Sequence, residues 1–420
     1  MSSHSEPPNL TANLLARTGN EILVDSPGIE AARYPGLALR AALRTKEEYV
    51  RSVLNDSSFG KLRGGWVSFA GAGHALDPDV LPNVLLARVL RGESAEHAIA
   101  VARAFSKDGS SAAFWYGALA GVTVAAPCTL AEGLDIIPWT AVPSGAQKSW
   151  LDDKRERAFA APLRPTANCA IRIALPRRPA LFQTAMEDGA MANMSDQPWF
   201  RAFERATDAI RCMTIVSAQP VAILASWAEP TENILQDFVG TSTQSYPDLS
   251  NPAVFGSSLT AAPLDEIATA DTFLRFSDFS GADRAALCTA IDRIGAALRW
   301  KTEVDKAIDL GIALEVLLLH DLDDPGELTY RIGLRGAQFL GGDTAARLSN
   351  FRRLKKIYAL RSKAVHKGTV EADEKAASTL EDAVAISKAI TRKLIANGRF
   401  PEWEREVVLS SGASDIIAPG

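Results

Sequence analysis

Leu354–Gly368 reads LKKIYALRSKAVHKG. Leu354, Tyr358 and Val365, with Phe351 just upstream, recur at spacings of three and four, so they share one face of a helix. That helix is expected over Thr344–Lys367, closed by Gly368 as the residue that turns left-handed after the last turn. From Thr344 to Val370 there are eight Lys/Arg and no Asp/Glu, in a chain of formal net charge −5. A run of one sign suits a polyanion. The alternative is a solvated face neutralised by acids of the next helix, such as Glu371, Asp373, Glu374, Glu381 and Asp382.

Outward from this helix, residues 280–397 contain a single proline, and apolar spacing is helical throughout. Four helices are expected: Gly281–Trp300, continuing in one reading through Leu319; Glu327–Leu340; Thr344–Lys367; and Ala372–Ala396. Short links between them imply an antiparallel bundle. Upstream the pattern changes. VLPNVLLARVLRG and SAEHAIAVARAFSKDG read as short helices ending at Gly. LDIIPW, CAIRIALP and VAILASWAEP read as strands, and Gly65–Pro78 as a strand followed by a loop, with Gly71–Gly73 a turn. The first 20 residues are polar and expected to be loose. The fold class is therefore an α+β region over 1–275, of sensor or regulatory type, followed by an all-α bundle over 279–400 and a tail over 401–420.

Composition excludes several classes. Hydrophobic residues make up 47% of 420 positions and charged ones 23%, which rules out wholesale disorder. Four Cys (Cys128, Cys169, Cys212, Cys288) without metal or redox spacing exclude a disulfide scaffold and a zinc ribbon, and fit a reducing, cytoplasmic setting. No secretory leader is visible at the start. Ser110–Ala131 carries no charge over 22 residues. Gly117, Gly121 and Pro127 punctuate it, so two buried strands are expected rather than a membrane span. His320–Asp324 (HDLDD) is the only cluster of potential metal ligands and reads as an exposed acidic loop. No metal and no cofactor is expected.

Arg361 falls on the apolar stripe between Tyr358 and Val365, where an unpaired charge is costly. Its expected partner is Glu315, which shares a stripe with Ile308, Ile312 and Leu319. The alternative is a structural clamp without chemistry. His366 lies five residues after Arg361, about 140° round an ideal helix. The two converge only if the helix end unwinds or a second chain completes the site. Ser362 stacks next to His366 at i and i+4. A lone His at a helix end is otherwise a surface cap.

Together these segments resemble HEPN domains, and closely the Apea-like HEPN group. The hallmark Arg-x4-His is Arg361 to His366. Tyr358 three before the Arg, Ser362 just after it, and the basic residue and Gly after the His match as well. AIDLGIALEVLLL resembles the group's upstream helix, and ELTYRIGLRGAQFLGG the helix that follows. The resemblance covers roughly Phe279–Gly398. It implies a homodimer whose two Arg/His motifs meet in a cleft, and a metal-independent endoribonuclease of phage-defence or toxin type. An antitoxin or phage-derived trigger would be a further partner, and no membrane is involved. Arg361 and His366 would be catalytic and Ser362, Glu315 and Tyr358 supporting, with Arg352, Arg353, Lys355, Lys356, Lys363 and Lys367 on the RNA. The chemistry suits the residues: RNA carries its own 2′-OH nucleophile, a His can move a proton near neutrality, and an Arg can stabilise phosphate charge. Some relatives only bind RNA or nucleotides, so a non-catalytic adaptor is the alternative function. A purely structural dimer module is the third.

Overall fold

The fold is described from a computed structural model. It covers residues 10–25, 46–69, 72–145, 148–149, 151–152, 167–186, 198–239, 242–245, 261–299, 302–322, 326–370 and 373–409. The uncharged Ser110–Ala131 run forms strands, three where two were expected: β3 (Ser110–Ala120), β4 (Val122–Thr123) and β5 (Cys128–Ala131), the last only partly buried. Among the described residues no helix is long and apolar enough to cross a membrane. β3 lies inside an antiparallel six-stranded sheet of order β10-β9-β3-β7-β6-β5. The other strands are β6 (Leu134–Pro138), β7 (Cys169–Pro179), β9 (Ala222–Pro230) and β10 (Ser242–Ser245). Its central place explains why β3 is apolar on both faces.

On one face of β3, Trp115 meets Trp199 and Phe203 of the helix Pro198–Val216, at ring distances of 5.9 and 6.4 Å. On the other, Tyr116 stacks on Trp227 at 5.4 Å and Trp139 meets that indole edge-on. The β-region is flanked by α1 (Leu10–Asp25), α2 (Glu47–Asn55), α3 (Val80–Leu90) and α4 (Ala95–Asp108). The expected loose N-terminus is thus corrected from Leu10 on: Leu14, Leu15 and Ile22 form a buried stripe. Gly65–Pro78 is also corrected. Its second half forms β2 (Ala72–Ala75), antiparallel to β1 (Trp66–Phe69), with Gly73 against the Trp66 ring. The turn expected at Gly71–Gly73 therefore has Gly73 in a strand, and Gly71 lies outside the described residues.

We number Pro198–Val216 α5, followed by α6 (Asn233–Val239) and α7 (Glu266–Ser277). The helical half is α8 (Gly281–Arg299), α9 (Glu303–Leu319), α10 (Leu328–Leu340), α11 (Thr344–Lys367) and α12 (Glu374–Asn397). The reading in which the first helix continues through Leu319 is corrected, because Thr302 starts a new helix by accepting the Asp305 N–H. Asp343 and Asp373 cap α11 and α12 in the same way. Gly368 closes α11 at φ 63°, a conformation that favours glycine.

α9 is buried nearly all round, through Leu310, Ala313, Leu314, Leu317 and Leu318, and α8, α10, α11 and α12 pack about it. The tail expected over 401–420 is corrected in its first part. Trp403 and Val407 are buried, and Trp403 lies edge-on to Phe339 at 5.3 Å. One hydrophobic core runs through both halves of the chain. Polar ties reinforce it: Arg211 of α5 bonds Asp292 of α8, and Lys388 of α12 donates to the Ser217 carbonyl at 2.7 Å.

Candidate functional site

α9 and α11 run antiparallel. Glu315 meets Tyr358, and one turn along Gly311 meets Arg361. The Tyr358 hydroxyl donates to Glu315 Oε1 at 2.6 Å. Arg361 Nη2 straddles the same carboxylate, 3.2 Å from Oε1 and 3.3 Å from Oε2. The Arg361 guanidinium also lies over the Tyr358 ring, 5.5 Å from its centre. Three of the expected site residues therefore converge. Burial, then the hydrogen bond to Glu315, push the Tyr358 phenol up to about 12. It stays protonated at neutral pH and acts as a donor that orients Glu315.

A second inward arginine shows what a structural clamp looks like here. Arg335 of α10 is 1% exposed. It donates to the Leu318 carbonyl and to Asp321 and Glu404, and lies over the Trp403 ring. His320 and Asp321 are exposed, as expected of the His320–Asp324 run, while Asp321 is bonded to Arg335 and the His320 ring lies 4.1 Å from that of Phe400. Asp323 and Asp324 lie outside the described residues. Among the described residues, no three His, Cys, Asp or Glu side chains gather as a metal site. Arg361 also lies over a ring but differs from Arg335 in exposure and bonding. Its side chain is 24% exposed and, among the described residues, its one carboxylate partner sits beyond the 2.7–2.9 Å usual for charge-assisted bonds and its buried Nε has no acceptor. An orphaned buried donor costs about 1–3 kcal/mol, so stability alone does not account for Arg361.

His366 is exposed in the last turn of α11 and makes no hydrogen bond or ion pair among the described residues. It is not bonded to Arg361. Ser362 is partly buried beside it in sequence. Val365, expected on the inward stripe, is instead 46% exposed. Ala364, about 100° round the helix, takes the inward place at that turn.

The expected RNA contacts divide. Arg353 is bonded to Asp382 of α12, as the alternative of a neutralised face anticipates for this one residue. Lys355 lies over the Phe351 ring at 5.4 Å with its charge toward solvent. Arg352, Lys356 and Lys367 are exposed, and Lys363 is partly buried.

Sequence reasoning missed one concave feature. A groove of about 940 Å³ between α5, α7 and the β5–β6 turn is lined by Arg201, Phe203, Arg205, Phe273, Leu274 and Arg284, among others. Arg284 is spent on Asp208, and Arg205 donates to the Glu132 carbonyl. Nothing marks these side chains in sequence, because arginines one turn apart on an amphipathic helix look like any surface. No family model, curated protein or solved structure matches the chain.

Proposed function

We propose that the protein is an endoribonuclease of HEPN type that cuts RNA through the substrate's own 2′-OH, in phage defence or toxin-type growth arrest. The observation that carries this reading is Arg361. A guanidinium is held a quarter exposed by Glu315 and Tyr358, on a helix rich in cations that ends with a free imidazole at His366. Arg361 would stabilise charge on the phosphate oxygens and His366 would transfer the proton. The two stand apart within one chain, so a second copy would complete the site.

Wild type should cut single-stranded RNA or tRNA in EDTA and leave DNA intact, because DNA lacks the 2′-OH. The upstream fragment should end in a 2′,3′-cyclic phosphate or its hydrolysed form. His366→Ala should abolish cutting. A requirement for Mg²⁺, or cutting by His366→Ala at the wild-type rate, would overturn this mechanism.

The separation of His366 from Arg361 favours a second reading, a non-catalytic adaptor that binds RNA or a nucleotide. RNA binding without any cutting would select it.

A further inference from the structure

We infer that Gly311 is a positioning residue for Arg361: the missing side chain at this turn of α9 is the seat across which the Arg361 stem lies to reach Glu315. This rests on the proposed role of Arg361. A Cβ built at Gly311 would fall 2.1 Å from Arg361 Cγ, 2.8 Å from its Cβ and 3.1 Å from its Cδ. The first two distances are impossible for real atoms, and Cβ and Cγ are the near end of the side chain. A methyl group at 311 would therefore lift the whole stem and carry the guanidinium off Glu315.

Other helix glycines in this half behave differently. Gly336 and Gly333 on α10 chiefly admit Leu354 and Phe351, which are apolar, with the Lys355 stem 3.3 Å from a Cβ at Gly333, so they serve packing between α10 and α11. Gly295 on α8 would give a new Cβ only ordinary contacts, at 3.5 Å or more. Gly311 alone among these four would set a new Cβ less than 3.0 Å from a charged side chain. Glycine is a poor residue for a helix interior, and Gly311 carries no unusual backbone angle that would require it. Close approach of Arg361 accounts for the glycine.

Two effects of opposite sign make this testable. Alanine for glycine inside a helix should raise the thermal midpoint by about 1–2 °C when no clash follows. Gly295→Ala should show that rise with cleavage unchanged. Gly311→Ala should lower the midpoint in the wild-type background and raise it in the Arg361→Gly background, where the whole stem, Cβ included, is gone. This stability cycle needs no enzymatic activity, so it tests the seat even if the nuclease reading fails. Where RNA is cut, Gly311→Ala should reduce kcat at least tenfold with KM changed by less than about threefold, because the phosphate-binding cations of α11 remain. The Gly311→Ala/Arg361→Ala pair should cut no worse than Arg361→Ala alone. A midpoint rise for Gly311→Ala in the wild-type background would overturn the seat. Wild-type kcat for Gly311→Ala alongside an inactive Arg361→Ala would overturn the positioning role.

Discussion

The Tyr358 hydroxyl donates a hydrogen bond to Glu315 at 2.6 Å, on the same carboxylate that Arg361 approaches only to 3.2 Å. The shorter bond is the one between two residues that the proposed chemistry does not touch. Glu315 is thus fixed by the phenol and offers its remaining lone pairs to the guanidinium. Tyr358→Phe keeps the ring beneath Arg361 and removes only the donor. It should cost about 1–2 kcal/mol in urea unfolding and lower RNA cleavage less than Arg361→Ala does. Cleavage lost to the level of Arg361→Ala would mean that the phenol itself takes part in the reaction.

The two inward arginines should respond in opposite ways. Arg335→Ala leaves Asp321 and Glu404 without their cation and the Leu318 carbonyl without its donor. It should cost about 3–5 kcal/mol, the range for breaking a buried pair. Arg361→Ala removes a partly solvated, loosely bonded group and an orphaned Nε, so it should cost about 1 kcal/mol or less while abolishing cleavage. Parallel urea titrations of the two variants decide this. Equal losses would return Arg361 to the role of a clamp.

Lys388 supplies a pH test of the seam between the two halves of the chain. It is 7% exposed, donates to the Ser217 carbonyl at the end of α5, and has no carboxylate partner among the described residues. Burial, and then the Arg392 charge, bring its amine down from 10.5 to about 8. The unfolded chain binds this proton more tightly, so the Lys388 contribution to stability rises from pH 8 to 10.5, by up to about 3 kcal/mol. Buried Cys169 and Cys212, whose thiols burial pushes up, act in the opposite sense above pH 8.5. The quantity to measure is therefore the stability difference between wild type and Lys388→Met at each pH. It should move in favour of wild type between pH 8 and 10.5, and a flat difference would place the titration elsewhere.

The helical half was legible because its signals are local. Gly368 and the apolar spacing mark the helix ends to within about two residues. The Arg361–Glu315 pairing was readable for the same reason, since each charge sits on an apolar stripe. What escaped depends on tertiary context. Thr302 divides a helical run that looks continuous by period alone. Leu14, Leu15 and Ile22 gain their partners from elements far along the chain, so their stripe looked too weak against the polar residues near it. Val365 shows the limit of periodicity, because the buried face of α11 runs through Leu354, Ile357, Tyr358 and Ala364, and the expected line leaves it at Val365. The seat at Gly311 was invisible because nothing in a sequence reports which side chain crosses a glycine.

The cations of α11 should set affinity and not the cut site. Lys355 and Lys356 are exposed on the helix, and no acid lies between Thr344 and Val370 to offset them. Arg353 is already shared with Asp382, so it should contribute less than its neighbours. Each phosphate contact releases counterions, so binding should weaken steeply as salt rises. Lys355→Glu with Lys356→Glu should lower affinity for all RNAs alike, reduce the slope of log K against log salt by about 1–2, and leave the fragment pattern unchanged. Arg353→Ala should change that slope by less than either lysine does, and should lose stability instead through Asp382. Salt titrations of RNA binding for the variants, run beside fragment mapping, check both parts. A changed cut site in the double lysine variant would assign these residues to base recognition, and an unchanged salt slope would place the RNA on another face.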